Sequence, residues 1–123
     1  MLKIHHRNLG KVDIVCLRGR IVIGETAALR HVVERQTDAS AIVLDLAGVD
    51  TIDAHGLGVF LELREQSHSR GISFRLLNAT KPVRRVLEIT RLDSVFEISS
   101  KSVSPVAGLR GRQAIFFEIG ACA

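Results

Sequence analysis

The sequence predicts an α/β domain, with a mixed, mostly parallel sheet of four to five strands and crossover helices. Three observations carry that prediction. Short apolar runs of strand character alternate along the chain with segments whose apolar residues recur at helical spacing. One run, Ala41, Ile42, Val43, Leu44, Asp45 and Leu46, is nearly continuous in its apolarity between polar turns, as a strand covered on both faces should be. The third observation is composition. Of 123 residues 46% are apolar, mostly Leu, Val, Ile and Ala, with five Phe and neither Trp nor Tyr. Branched aliphatics divided between strands and helices suit α/β layering, and the length suits one domain.

The elements follow in order. Residues 2–7 and 12–17 read as two strands joined through Asn8, Leu9, Gly10 and Lys11, a hairpin connection. Gly19 ends the second strand, and Gly24, Glu25 and Thr26 precede a helix that gathers Ala28, Leu29, Val32, Val33 and Gln36 on one side. The apolar run 41–46 is the central strand, and residues 47–52 read as its outgoing connection. A second helix starts near Asp53, with Leu57, Phe60, Leu61 and Arg64 on one side and Gly71 as its stop. Residues 72–77 form another strand. Lys81, Pro82 and Val83 open a third helix, since proline is well tolerated in a first turn. Residues 95–98 supply a last strand. The alternation calls for parallel strands with helical crossovers.

From Ser99 onward the character changes to Ser- and Gly-rich sequence, within which Ala114, Ile115, Phe116, Phe117, Glu118 and Ile119 are strongly apolar. The division expected is a domain at 1–98 and a C-terminal extension at 99–123. The apolar stretch either packs on the domain or pairs with a second copy to give a homodimer, and the sequence leaves both open.

Charge and composition exclude several classes. The formal net charge is +4. Lys81, Arg84, Arg85 and Arg91 cluster, but acids such as Glu88, Asp93 and Glu97 are interleaved with them, so no direct nucleic-acid partner is expected. Aromatic residues are too sparse for a base-stacking platform. No secretory-type segment opens the chain and no apolar run approaches the ~18 residues of a membrane helix, so a cytoplasmic protein without a membrane span is expected. Cys16 falls in an apolar strand pattern, where a buried reduced thiol is the ordinary reading. His5 and His6 are adjacent on a strand and point to opposite faces, which makes a shared metal a poor reading. No metal and no cofactor are expected.

The informative stretch runs from Val43 through Gly58. It reads as a buried strand, a connection, and a helix start rich in small residues: Asp53, Ala54, His55, Gly56, Leu57 and Gly58. Asp53 is placed to accept backbone N–H bonds of the first turn. Gly56 and Gly58 each cost roughly 1 kcal/mol inside a helix relative to Ala, so two of them need a cause. Either a neighbouring element packs tightly there, or a partner must reach the backbone.

This stretch resembles the signature of STAS domains, the family of bacterial anti-sigma factor antagonists and of the related domain of sulfate transporters. The match falls on Leu44, Asp45 and Leu46, then on Asp53, Gly56, Leu57 and Gly58 of an Asp-Ser-Ser-Gly-Leu-Gly type motif. Gly19, Arg20 and Ile21 resemble the family's turn after its second strand, and residues 78–83 resemble its loop into helix three. The resemblance covers residues 2–98 and implies a STAS-type fold. It also implies a protein-binding module rather than an enzyme, whose partner is an anti-sigma factor or related kinase-fold regulator. The partner-binding residues implied are Asp53, His55, Gly56 and Leu57, flanked by Thr51 and Ala54. An alternative the family also allows is a small subunit docking on the ATPase of an ABC lipid-transport system.

Two departures stand out. In the antagonists a kinase phosphorylates a serine immediately before the motif's first glycine, and phosphate blocks the complex. That position here is His55, and the neighbouring serine position is Ala54. Neither accepts phosphate as serine does. Arg91 stands where relatives often carry a glycine that ends helix three in a left-handed turn. An enzyme built on Asp45, Asp53 and His55 lacks both a nucleophile motif and a phosphate loop, and Gly56-Leu57-Gly58 is too short for dinucleotide binding.

Overall fold

The structure is a computed structural model that describes residues 2–36 and 38–99. Strands β1 (Lys3–Leu9) and β2 (Val12–Ile21) form an antiparallel hairpin in which Leu9 pairs with Val12. Gly10 turns the corner at φ +68°, a left-handed conformation that glycine adopts without a Cβ penalty. There follow α1 (Ala27–Glu34), β3 (Ala41–Ile52), α2 (Ala54–Ser69), β4 (Ser73–Leu77), α3 (Lys81–Ile89), a 3-10 turn (Leu92–Ser94) and β5 (Glu97–Ser99). The sheet order is β1-β2-β3-β4-β5, and every pairing after the hairpin is parallel. This is the mixed, mostly parallel α/β sheet that the alternation required.

The strand order decides where the helices go. Successive parallel strands are added on the same side, and right-handed crossovers then carry all three helices to one face. The core agrees. Leu29 and Val33 of α1, Leu57, Phe60 and Leu63 of α2, and Val83 and Leu87 of α3 form one cluster with Val15, Leu44 and Leu76 of the sheet. Phe96 closes the β5 end, its ring centroid 6.2 Å from Phe60 and 6.3 Å from Phe74. Because side chains alternate along a strand, the intervening residues point the other way. There Ile14, Cys16, Val43 and Leu77 make a second, smaller cluster.

Three details differ from the sequence expectation. β2 and β3 run to Ile21 and Ile52, well past Gly19 and Leu46, so residues 47–52 are strand and not a connection. Register shifts between Cys16 and Arg18 and between Gly19 and Arg20 let the pair continue past Gly19, which looked like a strand end. Gly48 sits closely packed in that irregular region, where a β-carbon would lie 3.1 Å from the Leu17 carbonyl oxygen, a tight contact. The last strand is Glu97–Ser99, shifted C-terminally from the 95–98 expected. Cys16 is buried as its strand position required, but it is disulfide-bonded rather than reduced.

Arg91 does occupy the left-handed region, at φ +62° and ψ +22°, directly after α3. The chain keeps the left-handed turn although a side chain there is strained by roughly 1 kcal/mol. The apolar stretch at 114–119 and the extension that holds it lie outside the described residues.

Candidate functional site

Helix α2 begins where β3 runs out, and one carboxylate organises the junction. Asp53 Oδ1 accepts the Gly56 N–H at 2.8 Å, which caps the first turn. Its Oδ2 accepts the Ile23 N–H at 3.0 Å, from the loop that leaves β2. The Asp53 N–H donates to the Ile21 carbonyl at 3.3 Å. The end of β2 and the start of α2 are thereby tied together through one residue. The N–H of Gly56, and next that of Ile23, hold the Asp53 carboxyl below the usual carboxylate range.

The two glycines have separate causes. A β-carbon on Gly56 would stand 2.2 Å from the Ile21 carbonyl oxygen and 2.9 Å from Ile52 Cγ1, so only glycine lets the helix start approach β2 this closely. A β-carbon on Gly58 would meet nothing within 4 Å, and the residue is exposed. Packing explains the first glycine and not the second.

His55 is exposed, and its Nε2 lies 3.2 Å from the hydroxyl of Thr26, a buried residue at the start of α1. Either group donates, depending on the imidazole tautomer, and Nδ1 is the ring's remaining polar atom. His55, Gly58 and Glu62 follow at i, i+3 and i+7 and so share one side of α2. Glu62 closes this stripe with an ion pair to Arg30 of α1. Their hydrogen bond is the main reason the Glu62 carboxyl is held low and the Arg30 guanidinium is raised. Beside the cap, Ile23 presents an aliphatic side chain that is 70% exposed.

The residues marked from sequence thus divide. Thr51, Ala54 and His55 are exposed, and Thr51 lies on β3, where its hydroxyl donates to Asp50 Oδ1 at 3.0 Å. Asp53 is half-buried, while Gly56 and Leu57 face inward. Ile23, Thr26 and Arg30 join the site without having been marked. Ile23 carried a usable signal, an isoleucine set beside Gly24 in a loop. Thr26 and Arg30 carried none, since α1 brings them there only through tertiary packing. Asp45 does not join Asp53 and His55. It pairs in register with Cys16 and Leu77 on the opposite sheet face, where its carboxylate accepts the Ala47 N–H at 3.0 Å. Among the described residues no group of three His, Cys, Asp or Glu side chains could hold a metal. No described helix is long and apolar enough to cross a membrane.

Comparison with known proteins places this geometry. The model of the STAS domain family matches residues 4–104. A candidate anti-sigma factor antagonist of Thermotoga neapolitana is 34% identical over 71 residues, which are 58% of this chain and 63% of that protein, so the match spans less than two thirds of it. A STAS-domain containing protein of Pseudomonas aeruginosa is 29% identical over 73% of this chain and 90% of its own length. Among solved structures, an anti-sigma factor antagonist from Mycobacterium paratuberculosis superposes with a TM-score of 0.72 at 22% identity, covering 80% of this chain and 86% of that one. The anti-sigma factor antagonist SpoIIAA in its unphosphorylated form gives a TM-score of 0.71 at 15% identity, over 88% and 99% of the two chains. At these identities the superpositions establish a shared fold.

Proposed function

The chain belongs to the STAS domain family, and from that premise we propose that it is a non-enzymatic binding module of the anti-sigma factor antagonist type. It acts in the cytoplasm on transcription, by docking on an anti-sigma factor or related kinase-fold regulator. One observation supports this reading above the others. Gly58 leaves α2 backbone bare on an exposed stripe between His55 and Glu62, beside the exposed Ile23, with none of the described residues within 4 Å of where a β-carbon would stand. A helix-interior glycine with no neighbour has no packing purpose, whereas a partner that approaches the backbone requires one. Thr51, Ala54 and His55 are the exposed contact residues. Asp53, Gly56 and Leu57 act by building the turn that presents them.

Docking in this chain is not gated by phosphate at the motif. His55 stands at the family's phosphoacceptor position, and its Nε2 is engaged with Thr26. A phosphoserine would add nearly two negative charges at such a surface. Without the hydroxyl, binding is constitutive, or is set by the abundance of the partner.

The test is titration of the purified chain against the anti-sigma factors encoded in the same genome, followed by incubation with the one bound and ATP. Saturable binding is expected, weakened about tenfold, or 1.4 kcal/mol, by Gly58→Gln, with no phosphate at residue 55. Phosphate mapped to residue 55 would refute unswitched docking. Failure to bind any anti-sigma factor, with capture of an ABC ATPase from lysate, would move the module to lipid transport.

A further inference from the structure

Helix α3 turns Val83 and Leu87 into the core and sends Lys81, Arg84, Arg85, Glu88 and Ile89 outward, all of them exposed. These five recur at i, i+3, i+4, i+7 and i+8, so they form one face along about 13 Å of helix. Lys81, Arg84 and Arg85 are cations and Glu88 is the one acid. Among the described residues none of these four side chains is in an ion pair. Lys81 and Arg85 stand one turn apart and repel each other. The first turn of α3 holds no acid and carries Lys81 and Arg84, the reverse of what a helix dipole favours. The arrangement works against the helix, and an anionic neighbour would change its sign. Ile89 lies on the same face and is 75% exposed; among the described residues only Ile23, beside the Asp53 cap, is a comparably exposed large aliphatic. We propose that this face docks an acidic segment of a partner protein. Its carboxylates meet Lys81, Arg84 and Arg85, and an aliphatic side chain covers Ile89.

Charge selects that occupant. A second copy would bring the same cations against these. Residues 100–123 carry Lys101, Arg110 and Arg112 against Glu118 alone, so the chain's own extension has the wrong sign as well. Glu88 discriminates between anions. It lies within the face, one turn on from Arg84, and repels a uniform row of phosphates, whereas a peptide can set a lysine opposite it. A lipid surface needs a broad apolar stripe, and Ile89 is the one large aliphatic residue this face exposes. The face is on a different helix from His55 and Gly58, and docking there does not require theirs.

The probe is a labelled twelve-residue peptide of repeated Glu-Glu-Leu-Lys, titrated into the full chain at low salt beside phosphatidylserine vesicles and duplex DNA. Saturable peptide binding is expected, weakening as ionic strength rises, with carbodiimide cross-links that map to Lys81. The double variant Arg84→Glu, Arg85→Glu should weaken it about tenfold. The variant Lys11→Glu, Arg35→Glu makes the same change in net charge at exposed positions off this face and should leave binding unchanged. Equal weakening by the two variants would reduce the effect to net charge and overturn the proposal. So would absence of peptide binding, or tighter binding to the vesicles or the DNA than to the peptide.

Discussion

Gly56 and Gly58 stand two positions apart in one helix and face opposite constraints. On the inward side, Gly56 is squeezed against the Ile21 carbonyl and fixed by the Asp53 cap. On the outward side, a β-carbon on Gly58 would meet none of the described residues within 4 Å, and its neighbours on the stripe are a histidine held by Thr26 and a glutamate held by Arg30. The contrast separates what a motif is for. The inward half of the Asp53–Gly58 motif builds a junction between β2 and α2, and folding alone would preserve it. In the outward half, His55 ties α2 to α1 through Thr26, whereas Gly58 has no packing neighbour for a β-carbon among the described residues, and the proposed docking would account for it.

The contrast breaks if the two positions respond alike to the same substitution. Gly56→Ala should destabilise the chain by about 3 kcal/mol, because backbone must move to admit the methyl group. Urea denaturation measures this, and a loss within error of zero would mean that the junction is loose. Asp53→Asn comes next. The folded carboxyl is held below its ordinary value, so its contribution is complete above the unfolded pKa and is lost as pH falls through the folded one. Wild type should therefore lose urea stability more steeply than the Asn variant below about pH 4. Parallel curves would show that the cap carries no charge-dependent stability. Gly58→Ala has the smallest effect and the opposite sign, a gain of up to about 1 kcal/mol from helix propensity. A loss there would show that the outward glycine also serves the fold.

Much of the fold was legible because local signals agreed with one another. The alternating periodicities, the hairpin glycine, the Asp53 cap and the Gly71 stop each marked an element that formed. The misreadings share a cause. In sequence Gly19 looks like the end of a strand and residues 47–52 like a connection, whereas register shifts let β2 and β3 run onward together, and such pairing is a relation between distant residues. The site divides similarly. Asp53 and His55 could be read from the motif, but the Thr26 hydroxyl and the Arg30 guanidinium arrive with α1, whose docking leaves no trace at the motif itself. The run 41–46 was read as covered on both faces, and Ile42, Val43, Leu44, Asp45 and Leu46 are indeed all buried.

The order of the strands also bears on how the chain assembles. Each strand lies beside the one that precedes it in sequence, so no pairing waits for a segment that has yet to be made. The longest loops to be closed are single crossovers, which keeps the entropy of closure low and favours rapid folding. A chain emerging N-terminus first can form the β1–β2 hairpin, then add β3, β4 and β5 in turn, each on a template already in place.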